Sequence, residues 1–407
     1  MKILIVSQYF WPEDFRINET ISFFNERNHS VTVLTGKPNY PEGKVYKDFK
    51  NNPQNYDEFE GAKIFRLPII SRGKTKFRLL LNYLSFIILG TLYGLVKFRN
   101  KNFDVIFVYE PSPITVGLPA IALSKKSKIP IVFWALDLWP ETLEALNIIK
   151  SKLIIKFFRK LANFIYNNCT IVLCQSKSFV KNISNYLVDK DKARYFPSWS
   201  EDIIVNNTIP KAKEIIDDPS FFKIIFAGNL AEAQDLNSVI KAIEISKNHQ
   251  KLQWIFIGDG RSYKWLEQQI IKRSLKNSVI MLGRYPPSRM PSFFRHADAL
   301  LVSLKRSDAF SMVIPAKIQT YLKSGIPLIG MLDGDGRRVI DNANAGITCE
   351  AGDYVTLASI FKEISEMPIE DLQRMGQNGK RYATENFDKN SQLIMLEKFL
   401  LESTRNK

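Results

Sequence analysis

LLVSLKRSDAFSMVIPAKIQTYLKSGIPLIG, residues 300–330, decides the fold. The apolar run Ala299–Leu304 has the length of a buried strand, and the polar loop after it carries Lys305, Arg306, Ser307 and Asp308. Pro315 suits the first turn of a helix, where its missing N–H leaves nothing unsatisfied. Ile318, Tyr321 and Leu322 recur at helical spacing, Gly325 marks the stop, and a second apolar run, Pro327–Leu332, follows at once. Strand, loop, helix and strand form one unit of a parallel sheet, and the helix starts where such a sheet opens a ligand crevice. Backbone N–H groups there attract anions, and Lys317 adds a positive charge. The unit therefore reads either as a phosphate seat or as an ordinary βαβ unit with a solvated lysine.

Outward from this unit, Phe222–Ala227, Trp254–Ile257 and Val279–Leu282 read as preceding strands, Met290–His296 as a short helix and Ile347–Glu350 as a sixth strand. The turns Gly228-Asn229, Gly258-Asp259-Gly260-Arg261 and Gly283-Arg284-Tyr285 stand at strand ends. Each alone is a plain turn. In series, small and cationic residues at one sheet edge are what a phosphate site needs, because glycine lets backbone approach the ligand. A helix of about Arg381–Leu401 has the length to return and brace the first half.

The first half opens on the strand Lys2–Ser7, the aromatic loop Gln8–Arg16, helical spacing over Ile17–Arg27 and the strand Val31–Thr35. This is a Rossmann-like start without G-x-G-x-x-G; its loop offers Arg16 and aromatic faces instead of a bare glycine turn, so this half is not expected to hold a nucleotide. Strands follow at Ala62–Pro68, Asp104–Tyr109, Ile131–Trp134 and Ile171–Gln175. Asp137, Trp139, Pro140 and Glu141 crowd one strand end; Asp137 and Glu141 either face a cleft or cap the next helix. Ser176 opens another such loop, Tyr195–Trp199 closes the domain, and Asn206–Pro219 reads as a polar linker.

Lys74–Lys101 differs from the rest: Leu79–Val96 is almost wholly apolar, with Lys74, Lys76 and Arg78 before it and Lys97, Arg99 and Lys101 after it. Three readings compete: a spanning helix at the lower limit of length, a buried domain helix, and an interfacial helix whose cations meet lipid phosphates. Lys150–Asn168 is a basic amphipathic helix that either covers the sheet or binds membrane.

The 407 residues suit two domains, and the net charge of +16 is lopsided. Residues 1–200 hold 29 Lys and Arg against 16 Asp and Glu; residues 201–407 hold 28 against 25. The first half thus expects an acidic partner, nucleic acid or anionic lipid. Cys169, Cys174 and Cys349 show no ligand spacing and fit a reducing compartment; with only His29, His249 and His296, a histidine-built metal site is not expected. Met1–Val6 is too short for the apolar core of a signal peptide.

Long runs of the chain resemble the GT-B glycosyltransferases of family 4, in particular the colanic-acid and L-fucosamine-transferase-like group of bacterial polysaccharide enzymes. They include SQYFWPEDFRINE at Ser7–Glu19, TGKPNYPEGKVY at Thr35–Tyr46, DLWPETLEA at Asp137–Ala145, FAGNLAEAQD at Phe226–Asp235 and IPAKIQTYLKSG at Ile314–Gly325. The resemblance implies an α/β fold of two Rossmann-like domains with parallel sheets facing across a cleft. The expected division is an acceptor domain over 1–200 with a membrane-associating segment at 74–101, a nucleotide-sugar domain over 201–385, and a returning helix over 386–407. It also implies retaining transfer of a sugar, such as N-acetyl-L-fucosamine or a related amino sugar, from a UDP-sugar to a lipid-linked saccharide on the inner face of the cell membrane.

Two departures stand out. Asn229 and Gln234 occupy positions where many relatives place cations against the diphosphate, and Met312 and Thr320 stand where paired glutamates are usual. Charge-assisted contacts of that kind contribute about 1.5–3 kcal/mol each. The expected replacements are Arg261, Lys305 and Lys317, then Arg284, with Gly228, Asn229, Gln234, Gly260, Tyr285 and Thr320 completing the donor site. Asp137, Arg261 and Lys317 are the expected catalytic residues, and Arg16, Glu141 and Ser176 the acceptor residues. No cofactor, metal or nucleic acid is expected. A non-hydrolysing UDP-sugar epimerase on the same scaffold and a basic nucleic-acid-binding protein are the alternatives.

Overall fold

Strands buried on both faces read as continuous apolar runs, and helices must then cover both sides of the sheet. In the computed structural model, which describes residues 1–201, 205–206, 208–247 and 251–405, this produces two compact α/β units. One is Met1–Phe196 with Leu393–Lys407, the other Pro197–Gln392. His249 and, within the expected linker, Asn207 lie outside the described residues.

The first unit holds eight strands: β1 (Lys2–Val6), β2 (Ser30–Gly36), β3 (Glu58–Phe59), β4 (Ala62–Leu67), β5 (Val105–Glu110), β6 (Ile131–Ala135), β7 (Ile171–Cys174) and β8 (Ala193–Tyr195). Their order is β3-β4-β2-β1-β5-β6-β7-β8, all parallel except β3, which runs antiparallel to β4. Ile3 lies opposite both Val31 and Val105, so the chain reverses its direction of growth between β1 and β5. Ligands bind at such a switch point, beyond the carboxyl ends of the strands.

Helix Lys76–Lys97 buries the row Asn82, Phe86, Gly90 and Gly94 and packs on helix Gly117–Ser127 at Gly90 and Gly94, while Asn82 bonds to Gln8 and to the Ile70 carbonyl. A Cβ on Gly90 would come within 3.0 Å of Pro119, and one on Gly94 within 3.1 Å of Leu123, so small residues set this contact. The opposite face is an exposed stripe of Phe77, Leu80, Leu84, Ile88, Leu92 and Val96. That distribution excludes a buried core helix, although length and hydropathy alone would suit a membrane span. Helix Lys152–Asn167 likewise exposes Leu153, Ile154 and Phe157 among Lys152, Lys156, Arg159 and Lys160.

The second unit is a six-stranded parallel sheet of β9 (Phe222–Ala227), β10 (Leu252–Ile257), β11 (Val279–Gly283), β12 (Ala299–Ser303), β13 (Leu328–Met331) and β14 (Gly346–Cys349), ordered β11-β10-β9-β12-β13-β14. Its switch point falls between β9 and β12. Helix Ala316–Ser324 ends at Gly325 in the left-handed region, as the sequence pattern implies.

The single closing helix expected near Arg381–Leu401 is instead two, Ile369–Asn386 and Lys389–Arg405. Phe387 breaks them: its ring is buried, its carbonyl accepts from the Ser200 N–H, and Asp388 caps the Ser391 N–H at 2.9 Å. The last helix is tied into the first unit by Glu397, which accepts from Arg27 and His29. The two-residue β3, the short β8 and the four-residue helix Asp308–Ser311 carry too few residues to show a period, and pattern reading passes over them.

Candidate active site

At the switch point of the second unit, two glycine turns are laced together. Gly228 has φ 137°, Gly258 143° and Gly260 156°, a region that side-chain-bearing residues avoid. A Cβ on Gly258 would lie 1.9 Å from the Gly228 carbonyl oxygen, and one on Gly260 2.3 Å from that of Leu230. Backbone bonds close the lacing: the Gly228 N–H donates to Ile257 O at 2.8 Å, Leu230 to Asp259 O at 2.9 Å and Ser262 to Leu230 O at 2.9 Å. Asn229 and Arg261 sit exposed on the two turns.

Lys317, in the first turn of its helix, reaches this edge. Its Nζ lies 3.7 Å from the centre of the Phe226 ring and donates to Gln234 Oε1 at 2.9 Å. It is 3.5 Å from the point a Gly228 Cβ would occupy, so a side chain there would touch the ammonium. Part of Lys317 remains open to solvent, but its charged end is enclosed, and burial pushes its pKa down to about 7. A neutral oxygen and a ring face partly satisfy this cation, and among the described residues no carboxylate pairs with it. An anion entering here would meet an ammonium and the small-residue turn together.

The other expected donor residues fall differently. Lys305 is engaged with Glu232 at 2.8 Å, while its N–H donates to Ala233 O and Ser303 Oγ donates to Gln234 O, so this stretch braces the Gln234 turn. Arg284 is exposed beyond Gly283, whose carbonyl accepts from the Gly258 N–H at 2.7 Å. Tyr285 packs on Phe293 with 4.7 Å between ring centres and carries the Arg289 guanidinium over its face. Thr320 is buried on the inner side of its helix, and Gln319 beside it donates to Ser198 O.

A second polar cluster lies at the switch point of the first unit. Asp137 is held from two sides: Thr142 Oγ1 donates to its Oδ1 at 2.6 Å and Trp139 Nε1 to its Oδ2 at 3.2 Å. Glu110 ends β5 fully buried; its Oε2 accepts from the Asp137 N–H at 3.3 Å, and its Oε1 has no partner. Burial, then the Asp137 charge, raise the Glu110 carboxyl well above the usual range, and burial raises Asp137 as well. Tyr83 bonds to Ser112 and lies edge-on to Trp139 at 6.4 Å, while Phe158 meets the other side of Trp139 at 5.4 Å. The Asp137 loop is thus wedged between the two helices with exposed apolar faces.

Arg16 opens the helical segment after the aromatic loop and lies against Tyr109. Glu141 accepts from the Tyr186 hydroxyl, and Ser176 caps helix Lys177–Ser184 through the Phe179 N–H at 3.0 Å. The sequence reading assigns neither Glu110 nor Arg72 a role, and gives Tyr83 only as an aromatic that suits a membrane interface or a core. Glu110 has a signal, a lone acid closing an apolar strand; Tyr83 and Arg72 have none apart from the fold.

Residues 16–199 match the model of Glycosyltransferase Family 4, and residues 208–382 that of Glycosyl transferases group 1. The chain belongs to the two-domain glycosyltransferases of the GT-B class. Within that class it falls in family 4, with the bacterial polysaccharide transferases. It is 26% identical over 283 residues to the probable glycosyltransferase WbjE of Pseudomonas aeruginosa, a match spanning 65% of each chain. It is 25% identical to the putative colanic acid biosynthesis glycosyl transferase WcaI of Escherichia coli, over 80% of this chain and 82% of that one. The fold is that of Alr3699/HepE of Anabaena, solved with UDP-glucose, at a TM-score of 0.68, 14% identity and full coverage of both chains. Family membership sets aside the epimerase and the nucleic-acid-binding readings.

Proposed function

We propose that this glycosyltransferase moves a sugar from a UDP-sugar, with its configuration retained, onto a lipid-linked saccharide at the cytoplasmic face of the bacterial membrane, in capsule, O-antigen or exopolysaccharide synthesis. The observation that carries the reading is the seat of Lys317 beside the Gly228–Asn229 turn. Negative charge develops on the leaving diphosphate, and a pre-positioned lysine, held charged by that diphosphate, stabilises it together with the turn amides. Arg261, exposed on the adjoining turn, adds a second cation and takes up work that Asn229 and Gln234 cannot do. Fixed cations of this kind supply the neutralisation that a divalent metal gives in other transferases, and no cofactor enters the scheme.

Asp137, oriented by Thr142 and Trp139, receives the acceptor hydroxyl and keeps it aligned for attack. The exposed apolar faces of helices Lys76–Lys97 and Lys152–Asn167, flanked by cations, support a position on anionic lipid. Because the Asn82–Gly94 row is docked on the fold, the helix lies along the bilayer surface in this reading. N-acetyl-L-fucosamine or a related amino sugar is the proposed donor residue. The test is a panel of nucleotide sugars offered with a prenyl-diphosphate-linked monosaccharide, read by mass spectrometry. Transfer from a UDP-amino sugar supports the reading. Transfer to water or to soluble sugars alone, with the lipid-linked acceptor untouched, contradicts it.

A further inference from the structure

Arg72 lies in the segment between β4 and helix Lys76–Lys97, with its N–H bonded to Asn39 Oδ1 at 2.8 Å. Its guanidinium sits among aromatic rings: Nη1 donates to Tyr9 Oη at 3.1 Å, and the Tyr40 ring centre is 5.3 Å away. Tyr83 is also close enough to interact with its charge. Three other arginines of this unit are matched. Arg27 pairs with Glu397 and Arg159 with Glu144, and Arg66 donates to the carbonyls of Tyr56, Gly36 and Trp11. Arg72 is half-buried, and among the described residues it has no carboxylate partner. A partly desolvated guanidinium without a counter-charge favours an anion beside it.

The surroundings define the anion. Tyr9 Oη accepts from Arg72, so its own proton is available to a second oxygen; burial keeps that phenol protonated, and stacking on Phe15 at 5.4 Å fixes the ring. On one side the chain leads into helix Lys76–Lys97, with exposed Lys74, Lys76 and Arg78 and then the apolar stripe. On the other, Tyr83 leads through Ser112 and Trp139 to Asp137. The order is apolar stripe, half-buried cation, then a carboxylate suited to a sugar hydroxyl. An isoprenoid phosphate ester of a saccharide has the same order of parts.

We propose that Arg72, with the Tyr9 hydroxyl, is the subsite for the phosphate ester of a prenyl-phosphate-linked acceptor. The inference rests on the lipid-linked-acceptor reading above. Its test uses the full chain and farnesyl diphosphate in detergent micelles, titrated by tryptophan fluorescence, beside farnesol, phosphatidylglycerol vesicles and UDP. Arg72→Gln should weaken farnesyl diphosphate binding at least tenfold and Tyr9→Phe about threefold, while Arg72→Lys retains most of it. Farnesol, vesicle and UDP binding should stay within twofold, and intact UDP binding reports that the variants fold. Wild-type affinity of Arg72→Gln for farnesyl diphosphate would overturn the proposal. So would an equal loss on phosphatidylglycerol vesicles, which would make Arg72 a general headgroup contact. If Arg72→Gln fails to fold, Tyr9→Phe decides, since it removes one oxygen only. Farnesyl diphosphate binding that needs Arg72 without any transfer activity would sink the functional reading and leave this site standing; transfer indifferent to Arg72 would do the reverse.

Discussion

Replacing Lys317 by methionine separates stability from binding. Each unit of pKa depression corresponds to about 1.4 kcal/mol. A lysine moved from 10.5 to about 7 by burial thus carries a ceiling of roughly 5 kcal/mol against folding when charged. Solvent at the open part of the side chain lowers that figure. Methionine also forfeits the Gln234 bond and the ammonium–ring contact at 3.7 Å with Phe226. The net gain is then about 2 kcal/mol at pH 6. The direction follows from the depressed value: the unfolded chain keeps its proton up to about 10.5, so the penalty is complete below pH 7 and fades as pH rises toward 10.5. Lys317→Met should therefore slow amide exchange in β9 and β12 at pH 6, with a smaller effect at pH 9, measured by mass spectrometry. The same variant should bind UDP at least thirtyfold more weakly. In the wild type at pH 8, UDP binding should take up about one proton, seen by calorimetry in buffers of different ionisation enthalpy, because the diphosphate restores the charge. Unchanged exchange at both pH values together with UDP affinity within twofold of wild type would refute the reasoning.

Arg261→Gln should cost ten- to a hundredfold in UDP affinity with no change in melting temperature, since the side chain is exposed and the loss is one charge-assisted contact; titration and thermal denaturation check both. Gly258→Ala should lose UDP binding and melt several degrees lower, because its Cβ would collide with the Gly228 carbonyl at 1.9 Å and φ is 143°. Asp137→Asn should lower kcat at least tenfold with UDP affinity unchanged, which steady-state kinetics beside calorimetry resolves; a parallel fall in both would move Asp137 out of the acceptor role.

The sheets were readable because strands buried on both faces are unbroken apolar runs, so Phe222–Ala227 and Ile131–Ala135 announce themselves. Gly228, Gly258 and Gly260 were also visible as turns, and the structure adds why they are glycine: their backbones touch. What a lysine contacts is not written locally. Lys305 and Lys317 are twelve positions apart with the same charge, yet one is spent on Glu232 and the other is enclosed by Phe226 and Gln234. Ser176 shows the same limit: a polar residue after a strand suits an acceptor or a helix cap alike, and only the structure shows that its hydroxyl caps a helix. Arg72, and the place of Tyr83 beside Ser112 and Trp139, are not legible in the sequence, because those partners and Tyr9 are brought together only by the sheet order.

The central claim is that the carboxyl edge of the second sheet grips a diphosphate through Lys317 and the Gly228–Asn229 turn. A crystal structure of the full chain with UDP tests it most directly. The account predicts the pyrophosphate within hydrogen-bond distance of Lys317 Nζ, with Arg261 turned toward it and Gln234 displaced from the ammonium. A pyrophosphate bound elsewhere, with Lys317 still on Gln234 and Phe226, would contradict it.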